Sequence, residues 1–185
     1  MSAAHKSFPE HASTENVRRI FKQYREELQW LATFLTGDEK TAAACVIDAC
    51  ALTESENPGF QEWLLEWARL ATIRSAVQIQ QRRIAQLNPV YMQCPCTHRG
   101  HPALSADSAE LLVEESHLLV AKLDVLCRFV LVICGLEKRS AGEAAVLLGV
   151  DRTSVEGAYC AAIRFLEVIG CEQIQRQNEF AAVCN

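Results

Sequence analysis

Apolar side chains recur through the first part of the chain at alternating steps of four and three: Val17, Phe21, Tyr24, Leu28, Leu31 and Leu35. That spacing lays them along one stripe of an α-helix, predicted to begin near Ser13 and to end at Gly37. Asp38 then caps a second helix reaching about residue 52, with Ala42, Cys45, Val46 and Ala49 as its inward side. The polar run 53–59, closed by Pro58 and Gly59, reads as a loop. A third helix, about residues 60–87, opens with Phe60, Trp63, Leu64, Trp67 and Leu70, and Trp63 and Trp67 are expected in the core with Phe60 and Leu64. It closes with Gln78, Gln80, Gln81, Arg82 and Arg83, so its far end is expected to project into solvent.

The helical period then lapses. Residues 89–108 contain Pro89, Pro95, Gly100 and Pro102 and read as a linker between a domain at 13–88 and another at 109–170. Helices are predicted at 110–122 and 125–134, and residues 171–185 form a polar tail able to extend the last helix. Residues 1–12 read as a loose N-terminal tail. No segment alternates with a period of two, so the chain is expected to be all-α: two small helical domains joined by a linker, the second with a helix-turn-helix.

That motif lies between Ser140 and Leu166. Ser140 followed by Glu143 makes a capping box, and the helix it starts runs to about Leu148. Gly149 accepts a left-handed backbone, Val150 plugs the turn, and Asp151 caps the next helix. Val155, Tyr159, Ala162 and Leu166 share the inward face of that helix, which leaves Arg152, Thr153, Glu156, Gly157, Cys160, Ala161 and Arg164 outward. Two helices around a short glycine-containing turn fit a motif that enters the major groove of DNA. Its charge does not: residues 1–104 balance at 11 basic and 11 acidic side chains, whereas residues 105–185 carry 7 basic against 12 acidic. An independent nucleic-acid binder shows a basic footprint.

Half of the residues are apolar, enough for a real core. Nine cysteines is an odd number, against a complete disulfide framework, and Cys45, Cys50, Cys127, Cys134 and Cys160 fall in helix interiors, where a thiol acts as a small hydrophobe. Cys94, Cys96, His98 and His101 gather zinc-ligand types within eight residues, but the cluster is wholly local and its C-x-C spacing is tight for a structural site, so a flexible thiol-containing linker is the plainer reading. Neither a phosphate-cradling glycine loop nor a metalloprotease or nucleophile motif occurs, so an enzyme is not expected, and no cofactor. There is no signal-like start and no apolar run long enough to span a bilayer, so a cytoplasmic, non-membrane protein is expected.

Tyr24, the run Leu35 to Asp38 (LTGD), Trp63, Leu64, Ala68 and Arg69 in the first half, with Ser140, Glu143, Ala145, Leu147, Leu148, Gly149, Ser154 and Val155 in the second, follow one order and spacing. In these features the chain resembles the extracytoplasmic-function type of bacterial sigma-70 family RNA polymerase sigma factors, over about residues 16–88 and 109–168. The resemblance implies that the first domain docks on core RNA polymerase through its second helix, where Asp48 is the carboxylate retained and Ala43, Ala44 and Ile47 replace acidic and amide residues. It implies promoter contact through Arg69 and Arg74, Leu70 and Arg74 standing where the family has Asn and Asp. It also implies contact with the upstream promoter element through Arg152, Thr153, Ser154 and Arg164. Positions commonly basic in the family hold Glu156, Ala158, Ala161 and Ile163. The implied partners are core RNA polymerase, promoter DNA bound in a polymerase-dependent way, and an anti-sigma or other regulatory protein. The missing basic positions favour a second reading, a sigma-like protein that titrates polymerase or a regulator without reading DNA.

Overall fold

The computed structural model describes residues 12–56, 60–92 and 122–183. Among them there is no β-strand, and seven helices carry the chain: α1 (Thr14–Gln23), α2 (Arg25–Thr36), α3 (Glu39–Glu56), α4 (Leu64–Met92), α5 (Val125–Val130, continued by a wider π-type turn, Leu131–Leu136), α6 (Ala141–Leu148) and α7 (Arg152–Val183). The chain divides into two compact units, one ending at Ile79 and the other beginning at Gln80, and α4 runs through the boundary.

In the first unit the apolar stripe is buried as its spacing predicts, but on two helices rather than one. Tyr24 leaves helical geometry (φ −105°, ψ 25°), so α1 ends and α2 starts around it. The hydrogen-bond ladder bridges the break: the Tyr24 N–H donates to the Ile20 carbonyl and the Tyr24 carbonyl accepts from the Leu28 N–H. The stripe therefore keeps its period across a change of direction, which spacing alone does not register. Val17, Phe21, Leu28, Ala49, Leu64, Ala68 and Ala71 form one core cluster, with Ile20, Tyr24, Val46, Cys50 and Leu52 packed against it. Leu28, Leu31 and Leu35 are each at most 3% exposed, and burial of a leucine contributes roughly 2 kcal/mol.

Helix α2 stops at Gly37, whose φ of 78° is left-handed and whose N–H reaches the Thr33 carbonyl at 2.7 Å. Asp38 caps α3 through Oδ2 and the Thr41 N–H at 2.7 Å, and those bonds to Thr41 hold its carboxyl below the ordinary carboxylate range. Helix α3 runs past residue 52 to Glu56, because the polar Thr53 is accommodated inside it: buried, its hydroxyl donates to the Ala49 carbonyl at 2.8 Å. Trp63 is not a core residue. It sits in a 3-10 turn, Gln61–Trp63, ahead of α4, so its offset from Trp67 places it off the buried line Leu64, Ala68, Ala71, and it is 49% exposed with its ring edge-on to Phe60.

In the second unit every residue from Val125 to Ile133 is buried, Arg128 included, as expected for a helix that is apolar nearly all round. Asp124 caps it, Oδ1 accepting from the Cys127 N–H at 2.9 Å. The π-type turn closes with the Glu137 N–H on the Val132 carbonyl, and Lys138 follows at a left-handed φ of 56°. Helix α4 passes through Pro89 to Met92 instead of ending near residue 87. The physical reason lies in the bonds that its last turn makes elsewhere in this unit. Residues 93–121 lie outside the described residues, and with them the rest of the 89–108 linker and most of the predicted 110–122 helix; so do Cys94, Cys96, His98 and His101. Beyond residue 170 the backbone of α7 continues as helix to Val183.

Candidate nucleic-acid interface

Helices α6 and α7 are separated by three residues, and each end is finished by local chemistry. Ser140 Oγ accepts from the Glu143 N–H at 3.2 Å while Glu143 Oε2 accepts from the Ser140 N–H at 2.8 Å, a complete capping box. Those bonds from Ser140, backbone first and hydroxyl second, hold the Glu143 carboxyl below its ordinary range. Gly149 ends α6 at φ 65°, ψ 36°, its N–H on the Ala145 carbonyl. The Val150 N–H also reaches the Ala145 carbonyl, at 3.1 Å.

Asp151 starts α7 through its backbone, the carbonyl accepting from the N–H groups of Ser154 at 3.0 Å and Val155 at 3.1 Å. Its carboxylate bonds sideways: Asn88 Nδ2 donates to Asp151 Oδ2 at 3.2 Å, and the Asp151 N–H donates back to Asn88 Oδ1 at 3.3 Å. Ser154 donates its hydroxyl to the Asn88 carbonyl at 2.9 Å. Asn88 was not a predicted site residue, and a helix end sixty-odd positions away carries no local signal for such a contact. Beside this junction an open hollow of about 350 Å³ is lined by Asn88, Ala145, Val146, Gly149, Val150 and Asp151.

The structure sorts the predicted DNA contacts. Arg152 and Thr153 are exposed on the first turn of α7, and Arg164 is exposed three turns on, with no ion pair among the described residues. Ser154 must be withdrawn as a surface contact, because it is fully buried and its hydroxyl is held by Asn88. Val155, Ala162 and Leu166 are buried as expected, with Tyr159 half-buried, but so are Gly157, Ala158, Cys160 and Ile163. Gly157 and Cys160 therefore leave the outward face. Burial of Ala158 and Ile163 also explains their apolar character: a lysine there would be in the core. What α7 presents between residues 152 and 168 is Arg152, Thr153, Arg164, Glu167 and Val168, with Glu156 and Ala161 half-buried.

Several of the described cations are already matched. Arg152 Nε pairs with Glu156 Oε1 at 2.8 Å one turn on, and Arg139 with Glu143 at 3.6 Å. In the first unit the two predicted promoter contacts are both in long-range pairs, Arg69 with Glu27 at 3.0 Å and Arg74 with Glu56 at 3.1 Å, and Arg18 pairs with Glu54 at 2.7 Å. Asp48 is exposed on α3 beside exposed Ala43, Ala44 and Ile47, the last 69% exposed, so the predicted polymerase-facing side of α3 is an accessible surface with one carboxylate on a mostly apolar ground.

A polar cluster that sequence reading missed lies where α4 ends. Tyr91 donates its hydroxyl to Asp124 Oδ2, the free oxygen of the residue that caps α5. Cys127 Sγ lies 3.2 Å from Tyr91 Oη and 3.3 Å from the Ala158 carbonyl, and its single proton serves one at a time. Burial, then the bond to Asp124, push the Tyr91 phenol far above its ordinary value, so it stays a proton donor at every physiological pH. The pKa of the buried Arg128 guanidinium is lowered by burial, against the pull of Asp124. Cys45, Cys50, Cys127, Cys134 and Cys160 are free thiols, and burial pushes Cys134 up to about 11, so it is not a reactive thiolate.

Among the described residues no group of histidine, cysteine or acidic side chains is placed to hold a metal ion, and no helix is long and apolar enough to cross a membrane. Compared with known proteins, the chain matches no protein-family model and no curated protein sequence.

Proposed function

We propose that the protein is a sigma-factor-like transcription initiation protein that acts on core RNA polymerase and touches promoter DNA only in that company. The observation that carries this reading is the α6–turn–α7 element: a complete capping box, a left-handed Gly149 and a three-residue turn that put Arg152 and Thr153 on an exposed helix start. A major-groove helix makes its base contacts from such a first turn. The first unit supports the polymerase half of the reading through the exposed Ala43, Ala44, Ile47 and Asp48 side of α3.

The polymerase requirement follows from charge. Non-specific affinity for duplex DNA scales with the phosphates a protein neutralises. Arg69, Arg74 and Arg152 each hold a carboxylate already, so binding phosphate means breaking an ion pair and leaving an anion near the backbone. Such a surface selects a position once another protein has supplied the affinity; it does not find DNA alone.

The same ion pairs favour a second reading, a protein of this scaffold that occupies polymerase or a regulator without reading DNA. Run-off transcription with purified core polymerase and genomic promoter fragments separates the two. Protein-dependent specific transcripts support the initiation reading. Polymerase binding without initiation supports the second, and absence of polymerase binding refutes the first and leaves the second only its regulator-binding form.

A further inference from the structure

The last turn of α4 is helical against its own sequence. Pro89 has no N–H to give, and its ring disfavours helical geometry at Asn88 before it. Yet Asn88 and Tyr91, three residues apart and so on one face, each bond the aspartate that opens a different helix. Asn88 meets Asp151 of α7 through two reciprocal bonds and Ser154 through a third. Tyr91 meets Asp124 of α5, on the carboxylate oxygen that the Cys127 N–H leaves open. Cys127 and the Ala158 carbonyl close the circle between α5 and α7.

We infer that Asn88 and Tyr91 form a two-point brace, a pair of positioning residues that holds the start of α7 against the start of α5 and so sets where Arg152 and Thr153 stand. The brace bonds replace what Pro89 removes, and the turn and the two helix starts are ordered together. Its consequence for DNA rests on the function proposed above; the brace itself does not.

Asn88→Asp sets two carboxylates face to face at the Asp151 clamp, putting repulsion where Asn88 Nδ2 donates, and should raise amide hydrogen exchange at Asp151, Ser154 and Val155 about tenfold, the loss expected for one hydrogen bond to a charged group. The reciprocal swap, Asn88→Asp with Asp151→Asn, restores the side-chain bond with donor and acceptor exchanged while the backbone N–H of residue 151 still donates to residue 88, and should bring exchange back to within about twofold of the parent. A residue needed only for its size would show no such rescue. Tyr91→Phe removes a hydroxyl whose hydrogen bonds go to Asp124 and Cys127 and not to α7, and if the brace acts as one piece it too raises exchange at Asp151. Unchanged exchange in Asn88→Asp, failure of the swap to restore it, or an Asp151 amide indifferent to Tyr91→Phe would overturn the inference. Circular dichroism on each variant shows that it is folded before it is counted. Because these readouts use the protein alone, absence of any DNA binding would refute the α7 interface and leave the brace standing.

Discussion

Two alanine substitutions at the ends of one short helix should shift stability in opposite directions. Gly149 ends α6 at φ 65°, and a Cβ built there meets nothing within 4 Å, so the cost of Gly149→Ala is purely that of a left-handed backbone, about 1 kcal/mol. Gly142 lies in the first turn of the same helix, where the nearest atom to a new Cβ is Ser140 Oγ at 3.9 Å, an ordinary contact. There alanine only narrows the unfolded ensemble, a gain of about 0.5 kcal/mol. Urea titration followed by circular dichroism reads both; tryptophan fluorescence does not, since Trp30, Trp63 and Trp67 all precede Gln80. For a unit of about a hundred residues, 1 kcal/mol moves the melting temperature by about 4 °C. Equal signs for the two substitutions, or a neutral Gly149→Ala, would show that α6 does not end in the left-handed cap.

Further outcomes follow from the same surfaces. Lys138→Gly should stabilise the protein by about 1 kcal/mol in the same titration, because a side chain now occupies the left-handed φ of 56°. Glu156→Lys frees Arg152 from its pair and adds a cation; duplex DNA affinity measured by anisotropy should rise, with the slope against log salt steeper by about 1 to 2, and no change would mean that this turn does not face DNA. The Glu143 carboxyl titrates below its unfolded value near 4.5, so its contribution is present above that pH and lost as pH falls through the lower folded value. The stability difference between the parent and Glu143→Gln should therefore shrink from about pH 4.5 downward, and a difference independent of pH would contradict the capping box.

What could be read from the sequence was local. Ser140 with Glu143, Gly149, Gly37 and Asp38 act within four residues of themselves, and the structure places each in its predicted role. The Arg152–Glu156 pair was also within reach, being a four-residue spacing on a helix. Several of the misses share one cause, a distant partner overriding a local preference. Pro89 reads as a breaker until Asn88 and Tyr91 find Asp151 and Asp124. Ser154 reads as a DNA contact until the Asn88 carbonyl takes its hydroxyl. Arg69 and Arg74 read as exposed cations, with no hint in their own neighbourhoods of Glu27 or Glu56. Periodicity itself misled on α7: one face was assigned inward, whereas burial of Ser154, Gly157, Cys160 and Ile163 covers most of its circumference. It also passed over Tyr24, where the period continues and the helix does not.

The most direct test of the whole account mixes the purified protein with core RNA polymerase and follows co-elution by size exclusion, beside anisotropy on a labelled duplex with and without polymerase. The account predicts a stable complex with polymerase that Ile47→Glu weakens, and duplex binding that is weak alone and stronger when polymerase is present. A protein that ignores polymerase, or that binds duplex DNA equally well without it, would contradict it.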